Sequence, residues 1–264
     1  MMRRVGFVLV LVWVLAACGG EGGAVGEAET AVTDQAESPP TVVENVTVPA
    51  EDGLLLQASL YRPAEGQQLP GVLLLHMLGS SRQAWQESGL PDKLAAQGYA
   101  VLALDMRGHG ETGGERNWML AEQDVGVVWA YFTGLEWVDA EKTAVIGASI
   151  GANLALRFAA SQPKVQAVVL LSPGLDYRGV TTLDALARYG SRPLFIAASE
   201  EDGYAAESSM ALAEQAGENG QLQMLAGAGH GTNMLTAEPE LETAVMTWLN
   251  NHLQSNMQSS TPTP

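Results

Sequence analysis

The chain has 264 residues, 47% of them hydrophobic, and 30 acidic residues against 13 basic give a formal net charge of −17. Acidity on this scale opposes a nucleic-acid partner, whose binding rests on Lys and Arg neutralising phosphates. The 4 histidines and the single cysteine, Cys18, show no metal-ligand spacing, so no metal is expected, and no intramolecular disulfide can form.

Met1 to Arg4 start the chain with positive charge, and Val5 to Ala17 form an apolar run too short to span a bilayer comfortably. Leu15-Ala16-Ala17-Cys18 then resembles a bacterial lipobox. That resemblance implies removal of residues 1–17 as a signal peptide, lipid on Cys18, and an extracytoplasmic protein anchored to the bacterial cell membrane. Residues 18–40 are dominated by Gly, Glu, Ala and Thr and end in Ser38-Pro39-Pro40, the composition of a disordered tether. Residues 254–264, closing in Thr-Pro-Thr-Pro, read as a disordered tail. Residues 41–253 remain as one domain, large enough for a sizeable core.

Within it, Val42 to Val48 and Leu54 to Tyr61 predict a hairpin about the Glu51-Asp52-Gly53 turn. Continuous apolar runs then mark buried strands at Gly71 to His76, Tyr99 to Leu104, Thr143 to Ile146, Val165 to Leu171, Pro193 to Ala198 and Gln221 to Leu225. Helical patterns lie between them, near Gln83 to Gln97, Met119 to Thr133, Ile150 to Ser161, Leu183 to Tyr189 and Ala205 to Ala216, with a last one at Glu240 to Leu253. The expected architecture is α/β: an eight-stranded, mostly parallel sheet with helices on both faces.

The chemistry concentrates at Gly147-Ala148-Ser149-Ile150-Gly151, where a strand passes at once into a helix. This is the context of a nucleophile elbow: Ser149 at the tip of a tight turn, Gly147 and Gly151 leaving it room, and a helix N-terminus aimed at developing negative charge. The base is expected after the last strand, and His230 stands there in Ala228-Gly229-His230-Gly231. The acid is expected one strand earlier, where Ser199-Glu200-Glu201-Asp202-Gly203 offers three carboxylates. Asp202, at the entry to the next helix, is preferred over Glu200, Glu201 and the earlier Asp176, although it also suits a helix N-cap. In Leu75-His76-Met77-Leu78-Gly79 the third strand ends in a small-residue loop. It is placed to supply one oxyanion donor, Leu78 with Met77 as fallback, to match the amide of Ile150. His76 itself reads as structural.

With Asp105-Met106-Arg107-Gly108-His109-Gly110 after the fourth strand, four stretches in register resemble the α/β-hydrolase superfamily, nearest its small uncapped esterase and dienelactone-hydrolase-like members. The resemblance covers nearly all of residues 41–253 and implies an α/β-hydrolase fold. Serine at position 149 departs from the cysteine of dienelactone hydrolases proper. In this loop Asp105 and Arg107 are expected to pair, and His109 to brace the turn or line the site.

The implied activity is hydrolysis of carboxylic or thio esters by a Ser149-His230-Asp202 triad without a cofactor. About 21 residues, Ser172 to Arg192, separate the sixth and seventh strands, too few for a large cap domain. An open site suits small-molecule or accessible polymeric esters, with Met77, Leu78, Trp85 and Trp118 as candidates for an apolar acyl site. The same triad would serve an acyltransferase or serine peptidase, and the fold alone a non-catalytic binding or scaffold lipoprotein.

Overall fold

The computed structural model describes residues 40–254. The expected signal peptide, Cys18 and the tether up to residue 39 lie outside the described residues, as does the tail from residue 255. No described helix is long and apolar enough to cross a membrane.

The chain opens with strands β1 (Thr41–Pro49), β2 (Leu55–Pro63) and β3 (Leu69–Leu75), followed by helices α1 (Gln83–Ser88) and α2 (Leu90–Ala96). Then come β4 (Ala100–Leu104), α3 (Trp118–Thr133), β5 (Val138–Ala148), α4 (Ile150–Ser161) and β6 (Val165–Leu171). A two-stranded hairpin, β7 (Asp176–Tyr177) and β8 (Val180–Thr181), and α5 (Leu183–Tyr189) lead to β9 (Leu194–Ser199). The described chain closes with α6 (Gly203–Ala216), β10 (Gly220–Leu225), α7 (Asn233–Ala237), α8 (Pro239–Leu249) and a helical turn that takes in Gln254.

The eight-stranded sheet runs β1-β2-β4-β3-β5-β6-β9-β10, with β2 antiparallel to both its neighbours and every other pair parallel. Successive strand residues face opposite sides of a sheet, and here both sides are apolar. Leu73, Leu102, Val145, Leu170 and Ile196 therefore enter one core with Val128 and Phe132 of α3 and Leu154 of α4. Their neighbours Leu74, Ala103, Ile146, Val169 and Phe195 enter a second core with Trp85 of α1, Leu94 of α2 and Leu249 of α8. This is why the strands read as unbroken apolar runs.

The helix expected over Gln83 to Gln97 is two helices, broken at Gly89, which takes φ of +76° ahead of Pro91. Left-handed backbone ends a helix, and proline in a first turn starts one. Only the β7–β8 hairpin and α5 lie between β6 and β9, so among the described residues no large cap domain covers the carboxyl ends of the strands.

Candidate active site

Ser149 stands between β5 and α4 at φ +55°, ψ −121°, a conformation that costs any residue with a side chain. Its N–H donates to the Leu171 carbonyl of β6 at 2.7 Å, and its carbonyl accepts from Ala152 at 2.9 Å, so both ends of the turn are tied. Sterics explain the flanking glycines. A Cβ on Gly147 would fall under 3.0 Å from the backbone of Gly151, and one on Gly151 would meet the carbonyls of Leu75 and His76 as closely. Helix α4 thus packs backbone to backbone on the end of β3.

The Asp202 carboxylate accepts from His230 Nδ1 at 2.5 Å, which leaves Nε2 without a hydrogen-bond partner among the described residues. Asp202 sits at the N-cap of α6 yet its side chain makes no capping bond. The other carboxylates are engaged elsewhere or stand apart. Glu201 accepts from the Gly227 amide and Ser199 Oγ, contacts that hold its carboxyl below the usual range. Asp176 accepts from Gly179 N–H inside the hairpin, and Glu200 is exposed on the loop.

The loop carrying His230 is held by three backbone donors. Gly227 N–H goes to Glu201 at 2.6 Å, Ala228 N–H to Ser199 Oγ at 3.1 Å and Gly231 N–H to Ser172 Oγ at 2.9 Å. Gly231 packs on Met77, where a Cβ would lie 2.9 Å from the sulfur. The bulky thioether after His76 is therefore filler beneath the histidine loop as well as a cavity wall.

Ser149, Ile150, Met77, Leu78 and His230 line one cavity of about 440 Å3, together with Tyr177 and Arg178. The amides of Ile150, Met77 and Leu78 donate no hydrogen bond within the described chain and remain available to a ligand oxygen. In this conformation Ser149 and His230 share the cavity without a hydrogen bond between them. The Tyr177 hydroxyl, on the same wall, donates to the Ser172 carbonyl at 3.4 Å. Burial, with the Asp202 carboxylate adding to it, pushes that phenol up to about 12, so it stays neutral.

His76 is fully buried, and its ring is spent on scaffolding: Nδ1–H donates to the Met77 carbonyl at 2.8 Å and Nε2 accepts from Met106 N–H at 3.0 Å. Burial lowers its pKa to about 4, which fits a neutral structural histidine. The expected Asp105–Arg107 pair is not formed. Asp105 pairs with Arg82 and accepts the amides of Arg82 and Glu111, whereas Arg107 forks onto Asp124, at 2.8 Å through both nitrogens, and onto Asp52. A tight turn aims the two side chains apart, and Gly110 is needed because a Cβ there would strike the Asp105 carboxylate.

Trp85 is in the second core, and Trp118 packs on His109 with centroids 5.9 Å apart, so neither tryptophan lines the cavity. His109 is buried with Nδ1 on the Arg107 carbonyl and braces the loop. Tyr177 and Arg178 escaped the sequence reading. Their signal was a weak one, Arg178-Gly179 as turn dipeptide between two very short strands. Among the described residues no group of three or more His, Cys, Asp or Glu is placed to hold a metal ion.

A family model described as serine aminopeptidase, S33, matches residues 68–188. The quorum-quenching protein AidA of Acinetobacter baumannii is 28% identical over 123 residues, which cover 45% of this chain and 40% of that one. Other curated relatives are matched over about a third of their length. Among solved structures, an esterase of Pyrococcus furiosus gives a TM-score of 0.69 at 20% identity, covering 80% of this chain and 91% of that chain. The α/β hydrolase GrgF of Penicillium sp. sh18 gives 0.67 at 16%, with 80% and 99% covered. Sheet order, the strand-turn-helix at Ser149 and this likeness over four fifths of the chain establish that the protein has the α/β-hydrolase fold.

Proposed function

We propose that the protein is a serine hydrolase that cleaves carboxylic or thio esters, small or displayed on an accessible polymer, through an acyl-enzyme on Ser149. The observation that carries this reading is the Asp202–His230 pair beside a serine held in a strained elbow on the same cavity. In the first step the Ser149 hydroxyl turns toward His230, gives its proton to Nε2 and attacks the carbonyl carbon. Asp202 holds the Nδ1–H tautomer and stabilises the imidazolium. The amides of Ile150 and Leu78, with Met77 as the next candidate, receive the oxyanion. Collapse breaks the bond to the leaving group, which takes the proton from His230, and water then repeats the cycle on the acyl-enzyme.

Likeness to an esterase and to a serine aminopeptidase family model supports attack on an acyl carbon. The latter favours one second reading, a peptidase using the same groups on an amide. Ser149→Ala is expected to abolish turnover of p-nitrophenyl esters while thermal unfolding stays cooperative; undiminished turnover would overturn the assignment. For location, we infer from Leu15-Ala16-Ala17-Cys18 a lipid anchor that tethers the domain outside the cytoplasmic membrane. Cys18→Ala should release the protein from the membrane fraction, and retention there would contradict the anchor.

A further inference from the structure

We propose that Arg178 recognises a negatively charged group on the substrate, so that the preferred ester carries a carboxylate on the side of the cavity formed by the β7–β8 hairpin. This rests on Ser149 being the acylating nucleophile and names the class of ester it serves.

The cavity wall is divided in character. Met77, Leu78 and Ile150 make an apolar portion beside the nucleophile, while among the described residues Arg178 is the only Lys or Arg on the wall and no carboxylate lines it. A neutral apolar ester would need only the first portion. Arg178 is exposed, and its guanidinium makes no hydrogen bond or ion pair among the described residues. The arginines of two other cavities differ. Arg82 is committed to Asp105 and Glu111, and Arg107 to Asp124 and Asp52. Asp176, in the same hairpin, accepts from the Gly179 amide and forms no ion pair with Arg178.

The backbone also counts against a purely structural role for this residue. Arg178 and Gly179 form the two-residue turn of the hairpin, with φ of +56° and +85°. Positive φ at both positions is the demand of a type I′ turn, best met by Asn-Gly. Arginine is a poor residue for that position, and nothing in the hairpin uses its side chain. What it does supply is a planar, five-donor cation at the cavity wall, suited to a carboxylate by bidentate pairing. In a chain of net charge −17 such a local cation is needed if an anionic ester is to be held rather than repelled.

The test compares two p-nitrophenyl esters of adipic acid, one with the distal carboxylate free and one with it methylated, with spontaneous hydrolysis subtracted. Wild type is expected to show the higher kcat/KM on the free acid. Arg178→Asn removes the charge and installs the favoured turn residue, so loss of folding does not confound it. The ratio of kcat/KM, free acid over methyl ester, should fall roughly fivefold to tenfold in Arg178→Asn, and further in Arg178→Glu. The wild-type ratio should also shrink as ionic strength rises from about 0.01 M to about 1 M. A ratio in Arg178→Asn within twofold of wild type, with both esters turned over, would overturn the role of Arg178 and leave the hydrolase intact. Failure of wild type to turn over either ester would remove the hydrolase reading and this one with it.

Discussion

Two loops at the carboxyl ends of the strands each present a histidine close to Met77, and they use it in opposite ways. At the end of β3, His76 serves its loop: both ring nitrogens are consumed by backbone groups of Met77 and Met106. After β10, the loop serves His230: Glu201, Ser199 and Ser172 take the loop amides, and the ring is left with one carboxylate partner and one nitrogen to spare. A ring whose hydrogen-bonding capacity is exhausted in the scaffold cannot move a proton. Residue type and position at a strand end are shared; the spare nitrogen separates the roles.

The sharpest way to break this comparison is to remove each ring in turn. His230→Ala should lower kcat for ester turnover by about 10⁶, as loss of the histidine does in a triad. Asp202→Asn should cost less, about 10⁴, since it leaves the base in place in the wrong tautomer. Comparable loss from His76→Gln, measured on folded protein, would contradict the division of labour.

A second test uses pH. His76 has a folded-state pKa near 4 against an ordinary value of 6.5, so between those values the unfolded chain takes up a proton that the folded chain refuses. Its contribution to stability is thus complete above about pH 6.5 and declines as pH falls toward 4, by an amount of up to about 3 kcal/mol. Urea unfolding across that window should show the slope in wild type and a shallower one in His76→Gln. The smallest effect is expected from the bracing of the other loop. Glu201→Gln weakens the hold on Gly227, and kcat should fall about tenfold through misplacement of His230, with stability little changed. An unaltered kcat would mean that Asp202, Ser199 and Ser172 position the ring without Glu201.

How much of this was legible in the sequence follows from what is local. The buried strands were visible because both faces of a parallel sheet are apolar, and α5 was read at its observed bounds, Leu183–Tyr189. Gly147 and Gly151 were legible because the elbow is a local backbone constraint, and the Asp202–His230 pairing followed from strand order. Partner choice among charged side chains was not legible. Asp105 reaches back to Arg82 and Arg107 reaches forward to Asp124 because the turn between them points the two side chains apart, a fact set by backbone direction rather than spacing. The break at Gly89 had a signal in Gly-Leu-Pro that the apolar periodicity across Gln83 to Gln97 outweighed. The hairpin that adds Tyr177 and Arg178 to the cavity is made of two-residue strands, too short for alternation to register.

The central claim is that Ser149 is a nucleophile activated by His230. It is tested most directly by treating the folded protein with a fluorophosphonate probe and mapping the adduct by mass spectrometry. A single adduct on Ser149, absent in Ser149→Ala and formed far more slowly in His230→Ala, is the predicted result. Folded protein that takes no label, or takes it at a residue other than Ser149, would contradict the account.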